Sequence, residues 1–209
     1  YLLATSLTNA AMTANIQLVE LVSRLGQNLS EGEIIQLSNT NASDFSEDVY
    51  FDVIRKKTAA LFSTAAEAGV RSVKCSDEMA ENAALFGELI GIAFQIKDDL
   101  FDFGLDDIGK PVGNDIKEKK MTLPLIYALQ QCSATEKRRI INLVKNHSEN
   151  KEKVAEVIQF VRNSGGMAYA TDKMMEYQAQ AFALLKDFPD NSYRTGLEQL
   201  VRFTTERNK

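Results

Sequence analysis

An acidic helix end is the part of this sequence whose residue types and spacing could carry chemistry. Asp98, Asp99 and Asp102 close an apolar segment, and Gln95 precedes the first two by three and four residues. Residues three and four apart share a helical face, so the pattern predicts carboxylates gathered on one face. Like charges at that spacing repel, and the negative end of the helix dipole adds to the repulsion. A divalent cation bound between these carboxylates would replace the repulsion with attraction. The alternative interpretation is an ordinary helix end exposed to solvent, without a metal.

Basic residues nearby supply the complementary charge. Lys110, Lys119 and Lys120 follow on a loop broken by glycine and proline, and Lys57-Thr58 occurs on an earlier helix. Oxygen donors without histidine or cysteine suit a hard cation such as Mg²⁺, which commonly shares its coordination with substrate phosphate oxygens. Ammonium groups neutralise phosphate in the same way. With apolar helical walls, these residues predict a site for a hydrophobic substrate that carries a diphosphate, and they do not specify the reaction.

The elements that must position these residues are predicted to be helices. Only three prolines occur, and no strand-like alternation persists beyond a few residues. We therefore expect one all-α domain over residues 1–209, a bundle of about eight helices. Small residues through the acidic helix predict close packing and a central position for it. The predicted helices span 1–13, 15–37, 46–69, 77–102, 123–131, 135–145, 151–163, 167–188 and 193–206, with a loop over 38–46.

Composition excludes several classes of protein. The 209 residues carry a net charge of −5, which gives no electrostatic basis for nucleic acid as the main partner. No run approaches eighteen apolar residues, so stable membrane insertion is not expected. Two cysteines without metal-type spacing and no visible secretory signal favour a cytoplasmic protein. Tyr1 lies directly in a helical run without a capping residue, which predicts that the natural beginning is missing.

Several segments together resemble one known family. FQIKDDLFD followed by GKPVGNDIKEKKMTLPLIYAL resembles the second aspartate-rich motif and following loop of the trans-isoprenyl diphosphate synthases. EGEIIQL, YFDVIRKKTAALFSTAAEAG and SGGMAYA resemble further segments of that family in the same order, so the resemblance covers nearly the whole chain. Within that family the register resembles that of octaprenyl and other long-chain polyprenyl diphosphate synthases. The resemblance implies an isoprenoid-synthase-type helical bundle, here incomplete.

This resemblance implies a Mg²⁺-dependent prenyltransferase. An allylic diphosphate ionises to a carbocation, isopentenyl diphosphate attacks it, and the all-trans chain grows by one five-carbon unit. The intact protein would be a homodimer. The implied metal ligands are Asp98, Asp99 and Asp102. The implied catalytic residues are Lys57, Thr58, Gln95, Asp98, Asp99 and Lys110. The implied substrate-binding residues are Lys57, Thr58, Phe94, Gln95, Lys110, Lys119 and Lys120, with the choice between the last two as the diphosphate ligand left open, and Asp115 would orient a lysine.

The sequence also departs from the family pattern. The first aspartate-rich motif and its arginine pair are absent, so the chain is predicted to be the C-terminal two-thirds of a synthase, inactive alone and with exposed apolar side chains. Product length cannot be inferred, because its determinants lie near the first motif. A non-catalytic subunit of a heteromeric synthase is one alternative, disfavoured by the intact acidic motif. A terpene cyclase is another, disfavoured by the absence of the Asn, Ser and Glu motif typical of cyclases.

Overall fold

The computed structural model describes residues 1–40, 46–73, 75–104 and 112–207, and these contain helices and no strand. The predicted all-α class is therefore confirmed for this part of the chain. The elements are α1 (Leu2–Met12), α2 (Ile16–Thr40), α3 (Glu47–Ile54), a π-helical segment (Arg55–Ala59), α4 (Ala60–Arg71), α5 (Asp77–Asp102), α6 (Asn114–Lys117), α7 (Leu123–Gln131), α8 (Ala134–Asn146), α9 (Lys151–Asn163), α10 (Gly166–Leu185) and α11 (Ser192–Glu206).

Most predicted boundaries agree with these helices, and three helix ends differ by two residues or more, those of α2, α4 and α10, the last of which ends at Leu185 and not at 188. Helix α2 continues to Thr40, so the predicted loop begins later than residue 38. Helix α4 continues through Gly69 to Arg71, whose side chain pairs with Glu67 one turn earlier. The four-residue α6 was not predicted, because so short a helix leaves no periodic pattern.

Side-chain caps fix where the helices around the site begin. The Ser46 hydroxyl accepts a hydrogen bond from the Val49 amide at 3.2 Å and starts α3. The Ser76 hydroxyl does the same for the Met79 amide at 3.2 Å and starts α5. Each cap satisfies an amide that has no partner within the helix.

Helix α5 is central because its glycines let neighbouring backbones approach. A Cβ placed on Gly91 would lie 2.6 Å from the Cα of Ala59, and one on Gly87 would overlap the carbonyl of Phe62. The buried side chains Ile92 and Ile96 complete this contact. The predicted central position of the helix is confirmed.

The π-helical segment connects α3 and α4 without a break. Its i→i+5 hydrogen bonding puts an additional residue into one turn of the helix. Gly32 of α2 packs against it, since a Cβ there would lie 3.1 Å from the Lys57 amide nitrogen. The segment therefore holds Lys57 and Thr58 between α2 and α5.

Three buried clusters stabilise the bundle. One joins α3, α5, α7 and α10 around Ile92 and Ile96, a second joins α7, α8 and α9 around Leu125, and a third joins α5, α10 and α11 around Leu185. Burial of such aliphatic side chains contributes about 1.5–3 kcal/mol each. Among the described residues, no helix is sufficiently long and apolar to cross a membrane.

Large apolar side chains are exposed on α1 and α2. Leu2, Met12, Ile16, Ile34 and Leu37 are each at least 60% exposed. The prediction of exposed apolar side chains is confirmed for these helices.

Candidate functional site

A cleft open to solvent lies among α2, α3, the π-helical segment, α5 and the chain that enters α7. It encloses about 860 Å³ of empty space, part of it continuous with bulk water. The structure gathers six of the predicted site residues here: Lys57, Thr58, Gln95, Asp99, Lys119 and Lys120. Residues from three separate stretches of sequence, 57–58, 95–99 and 119–120, thus meet in one place.

A chain of hydrogen bonds crosses the floor of the cleft. The Thr58 hydroxyl donates to Gln95 Oε1 at 2.8 Å, and Gln95 Nε2 donates to Asp99 Oδ1 at 2.9 Å. The Tyr50 hydroxyl donates to Asp99 Oδ2 at 2.7 Å. Both carboxylate oxygens of Asp99 are therefore held by side chains, which fixes the orientation of all four residues.

Asp99 is the most perturbed acid of the cleft. Only 3% of its surface is exposed, and burial raises the pKa of its carboxyl to about 7. The nearby charges of Asp115 and Asp98 raise this pKa further, while the bonds from Tyr50 and Gln95 lower it. The carboxyl thus changes charge near neutral pH, which is common for acids at functional sites.

Asp102 holds the backbone beyond α5. Its carboxylate accepts hydrogen bonds from the Asn114 amide at 2.7 Å and the Asp115 amide at 3.1 Å. Burial, followed by the charge of Asp115, raises the pKa of Asp102 to about 6, against the lowering effect of these amide bonds. In this structure the residue orders α6, and it does not border the cleft.

Asp98 lies on a different face of α5 from Asp99. It pairs with Arg207, whose guanidinium lies 4.2 Å from the centre of the Phe94 ring and 5.4 Å from that of Phe101. The predicted substrate-binding residue Phe94 therefore packs under Arg207 and does not border the cleft.

That Asp98, Asp99 and Asp102 hold a metal together stays a prediction, because the three carboxylates contact different partners in this structure. The described residues contain no group of three or more His, Cys, Asp or Glu side chains placed to hold a metal ion. Asp98 and Asp99 diverge because successive helical residues are separated by 100°, and they contact Arg207 and Tyr50 respectively. Asp102 lies between them on the helix and accepts hydrogen bonds from the amides of α6.

The basic residues are held by acids at the rim of the cleft. Lys57 pairs with Glu33 and donates to Gln36 Oε1 at 3.0 Å. Lys120 pairs with Asp115 at 3.2 Å and with Glu118. The expectation that Asp115 orients a lysine is confirmed.

Lys119, next to Lys120, has an unusual backbone conformation, and the predicted site residue Lys110 is outside the described part of the chain. Lys119 adopts a positive φ of 58°, a conformation that favours glycine. Lys110 lies within 105–111, outside the described residues.

The donor chemistry of the cleft fits a hard divalent cation. Asp115 raises the pKa of both Asp99 and Asp102, so these carboxylates repel one another when ionised, and a bound cation would relieve that repulsion. All candidate donors are oxygens, and each carboxylate oxygen that accepts one hydrogen bond keeps a second lone pair. Mg²⁺ bound with phosphate oxygens therefore suits these residues.

Sequence reasoning missed two residues of the site and its surroundings. Tyr50 lies in the core and also donates a hydrogen bond to Asp99. Its position seven residues before Lys57, two helical turns, is a signal that could have placed it near the cleft. Arg207 is 109 residues from Asp98, and no local pattern relates them.

The sequence matches known proteins along most of its length. Residues 1–161 match the family model described as polyprenyl synthetase. The chain is 30% identical over 197 residues to an octaprenyl diphosphate synthase from Escherichia coli, covering 93% of this chain and 61% of that protein. It is 32% identical over 210 residues to a nonaprenyl diphosphate synthase from Mycobacterium tuberculosis, covering all of this chain and 62% of that protein. The chain thus spans about 60% of the length of the curated relatives it matches.

Solved structures resemble the fold closely. A geranylgeranyl pyrophosphate synthase from Bacteroides thetaiotaomicron superposes with a TM-score of 0.93 at 46% identity, covering 99% of this chain and 69% of that one. A polyprenyl synthase from Caulobacter crescentus, solved with calcium and isoprenyl diphosphate, gives a TM-score of 0.86 at 30% identity, covering 95% of this chain and 61% of that one.

Proposed function

The chain belongs to the polyprenyl synthetase family, and we propose that the intact protein condenses isopentenyl diphosphate with an allylic diphosphate to make an all-trans polyprenyl diphosphate. The observation that supports this most is the hydrogen-bonded series Thr58–Gln95–Asp99–Tyr50, which lies in a cleft bordered by lysines. It brings a buried acid, cationic groups and an apolar wall to one place. Those are the requirements of a reaction in which a diphosphate departs from a hydrophobic chain.

The lysines bind the anionic end of the substrate. Lys57 and Lys120 exchange their carboxylate partners for diphosphate oxygens, a substitution that keeps each ammonium group paired. Lys119 borders the same space and adds charge. The proposed diphosphate ligands are therefore available without refolding of the cleft.

Mg²⁺ is the proposed cofactor. Asp99, at the cleft, and Asp98 and Asp102, at the same end of α5, are the residues that would hold it. When bound, the cation supplies electrophilic neutralisation of the diphosphate charge.

The polar and the apolar side chains of the cleft have different proposed roles. Thr58 and Gln95 present a hydroxyl and an amide beside the reacting carbons, and their mutual bond fixes both orientations. Val49, Val53 and Ile126 border the cleft and exclude water from the carbocation.

The chain spans about 60% of the length of these curated relatives, so the proposed activity is that of the whole protein. The 209-residue chain alone is expected to give no elongation product in an assay with labelled isopentenyl diphosphate, an allylic diphosphate and Mg²⁺. Product formed by the isolated chain would contradict this expectation. The intact protein is proposed to be a homodimer, which sedimentation analysis would test.

The decisive experiment uses the intact protein and a matched pair of substitutions. Asp99→Asn keeps the shape of the side chain and removes its charge, so Mg²⁺-dependent elongation should fall by roughly 10²–10³-fold. Asp172→Asn makes the same change at an exposed position on α10 and should leave elongation unchanged. Wild-type turnover in Asp99→Asn, or no labelled product from the intact wild type, would overturn the proposed function.

A further inference from the structure

Thr122 has a buried hydroxyl without a partner at the wall of the cleft. The residue is 4% exposed and borders the cleft beside Lys120 and Met121. Within the described part of the chain, its Oγ1 is the buried side-chain polar atom that lacks any hydrogen bond. Such a group normally costs about 1–3 kcal/mol, so the position calls for an explanation.

Helix capping does not use this hydroxyl. Thr122 precedes α7 with an extended backbone, φ −88° and ψ 161°, which is the conformation of a capping residue. A cap of this kind accepts from the second or third helical amide. Pro124, the second residue of α7, has no amide hydrogen, and the side chain makes no capping bond. The backbone therefore starts the helix while the hydroxyl stays unpaired.

The surroundings of the hydroxyl favour an anion. The nine-residue α7 directs the positive end of its dipole toward Thr122. Lys119 and Lys120 lie three and two residues earlier on the same cleft wall. A hydroxyl donor, a helix amino terminus and ammonium groups are a combination that binds phosphate oxygens.

We propose that Thr122 is a positioning residue that donates a hydrogen bond to an oxygen of the diphosphate bound beside Lys120. This inference rests on the proposed function, because it assigns one more contact to the diphosphate in the same cleft. The staggered rotamers about the Cα–Cβ bond allow the hydroxyl to turn from the wall toward a bound oxygen. The unpaired state is then the ligand-free form of a site completed by substrate.

The test measures binding of inorganic diphosphate to the 209-residue chain in the presence of Mg²⁺, by ³¹P NMR titration. Thr122→Val keeps the branched shape and removes the hydroxyl, and Thr122→Ser keeps the hydroxyl. Thr171→Val is the control, since the Thr171 hydroxyl is exposed and donates to the Met167 carbonyl of its own helix at 2.9 Å.

We expect Thr122→Val to weaken diphosphate binding about tenfold, which is the effect of losing a hydrogen bond to a charged group. Thr122→Ser should bind within about twofold of the wild type, as should Thr171→Val. The melting temperature of Thr122→Val should equal or exceed that of the wild type, because the ligand-free hydroxyl stabilises nothing. That combination separates a ligand contact from a structural one.

Two results would overturn the inference alone. One is wild-type diphosphate affinity in Thr122→Val. The other is a parallel loss of melting temperature and affinity in that variant, with Thr122→Ser equally impaired, which would assign a structural role. Failure of the wild-type chain to bind diphosphate would overturn the proposed diphosphate cleft together with this inference.

Discussion

Replacing Tyr50 with Phe removes the hydroxyl that contacts Asp99, the most buried acid of the site. The Tyr50 hydroxyl donates to Asp99 Oδ2 at 2.7 Å, and both side chains are buried. Phe keeps the ring that packs edge-on against Phe51 at 5.3 Å. The perturbation is therefore confined to the hydrogen bond and to the acid that accepts it.

The size of the effect depends on the charge of Asp99. A hydrogen bond to an ionised group is worth about 1.5–3 kcal/mol, and one between neutral groups about 1 kcal/mol. Burial raises the pKa of Asp99 to about 7, so the carboxyl is ionised at about pH 8.5 and protonated at about pH 5.5. Because the Tyr50 bond lowers this pKa, its loss raises the pKa further. The unfolding free energy should then fall by about 2 kcal/mol at the higher pH and by about 1 kcal/mol at the lower pH.

The direction of the pKa shift of Asp99 also predicts how the stability of the wild type depends on pH. A folded pKa above the unfolded value gives stability that is present at low pH and lost as the pH rises through about 7. In the absence of divalent cations, Asp99 therefore makes the chain less stable at the higher of the two pH values than at the lower. Tyr50→Phe should steepen that decline.

The assay is urea unfolding at both pH values with a chelator present. The expected loss at the higher pH corresponds to a melting temperature lower by roughly 4–8 °C for a domain of this size. Tyr169→Phe is the control, because the Tyr169 hydroxyl donates to Glu47 at 2.8 Å in a half-buried position. Its loss should stay below about 1 kcal/mol. An equal loss at the two pH values in Tyr50→Phe, or one no larger than in Tyr169→Phe, would refute the reasoning.

The other predictions concern helix packing and the second face of α5. Gly91→Ala should lower the unfolding free energy by about 1–3 kcal/mol, because the new Cβ would lie 2.6 Å from the neighbouring helix. Gly69→Ala, with nothing within 4 Å, should instead raise it by about 0.5–1 kcal/mol, and equal effects in urea unfolding would contradict this account of α5. Arg207→Gln frees Asp98 from its ion pair and should tighten Mn²⁺ binding several-fold in electron paramagnetic resonance titrations. Arg202→Gln, which loses only a contact of Arg202 with an aromatic ring, should not, and equal Mn²⁺ affinity in the two variants would show that the pair does not compete with metal.

Local chemistry explains why much of the fold could be predicted. Serine caps define the starts of α3 and α5, and glycines at helical spacing identify α5 as central. Helix α5 itself was predicted with both of its ends, Asp77 and Asp102. Each of these signals acts within a few residues, so a single sequence contains it.

Other features depend on contacts that a single sequence does not encode locally. Whether Asp98 or Asp99 faces the cleft is decided by tertiary partners, since both fit a helical pattern equally well. Arg207 reaches Asp98 from the far end of the chain. Thr122 is at a capping position by its backbone, and only the structure shows that its hydroxyl caps nothing.

The π-helical segment makes the cleft sensitive to the number of residues as well as to their identity. Each residue added to or removed from a helix rotates the turns before it by about 100° relative to the turns after it. Deleting one residue from Arg55–Ala59 would let the rod from α3 to α4 become a regular α-helix, which is locally more stable. Tyr50 and Thr58 would then no longer both face the Gln95–Asp99 pair, while the glycine contacts of α5 still favour the position of α4. We therefore expect a change in length by one residue to disrupt the site while the bundle still folds. Most substitutions in the same helical segment should leave both the site and the bundle intact.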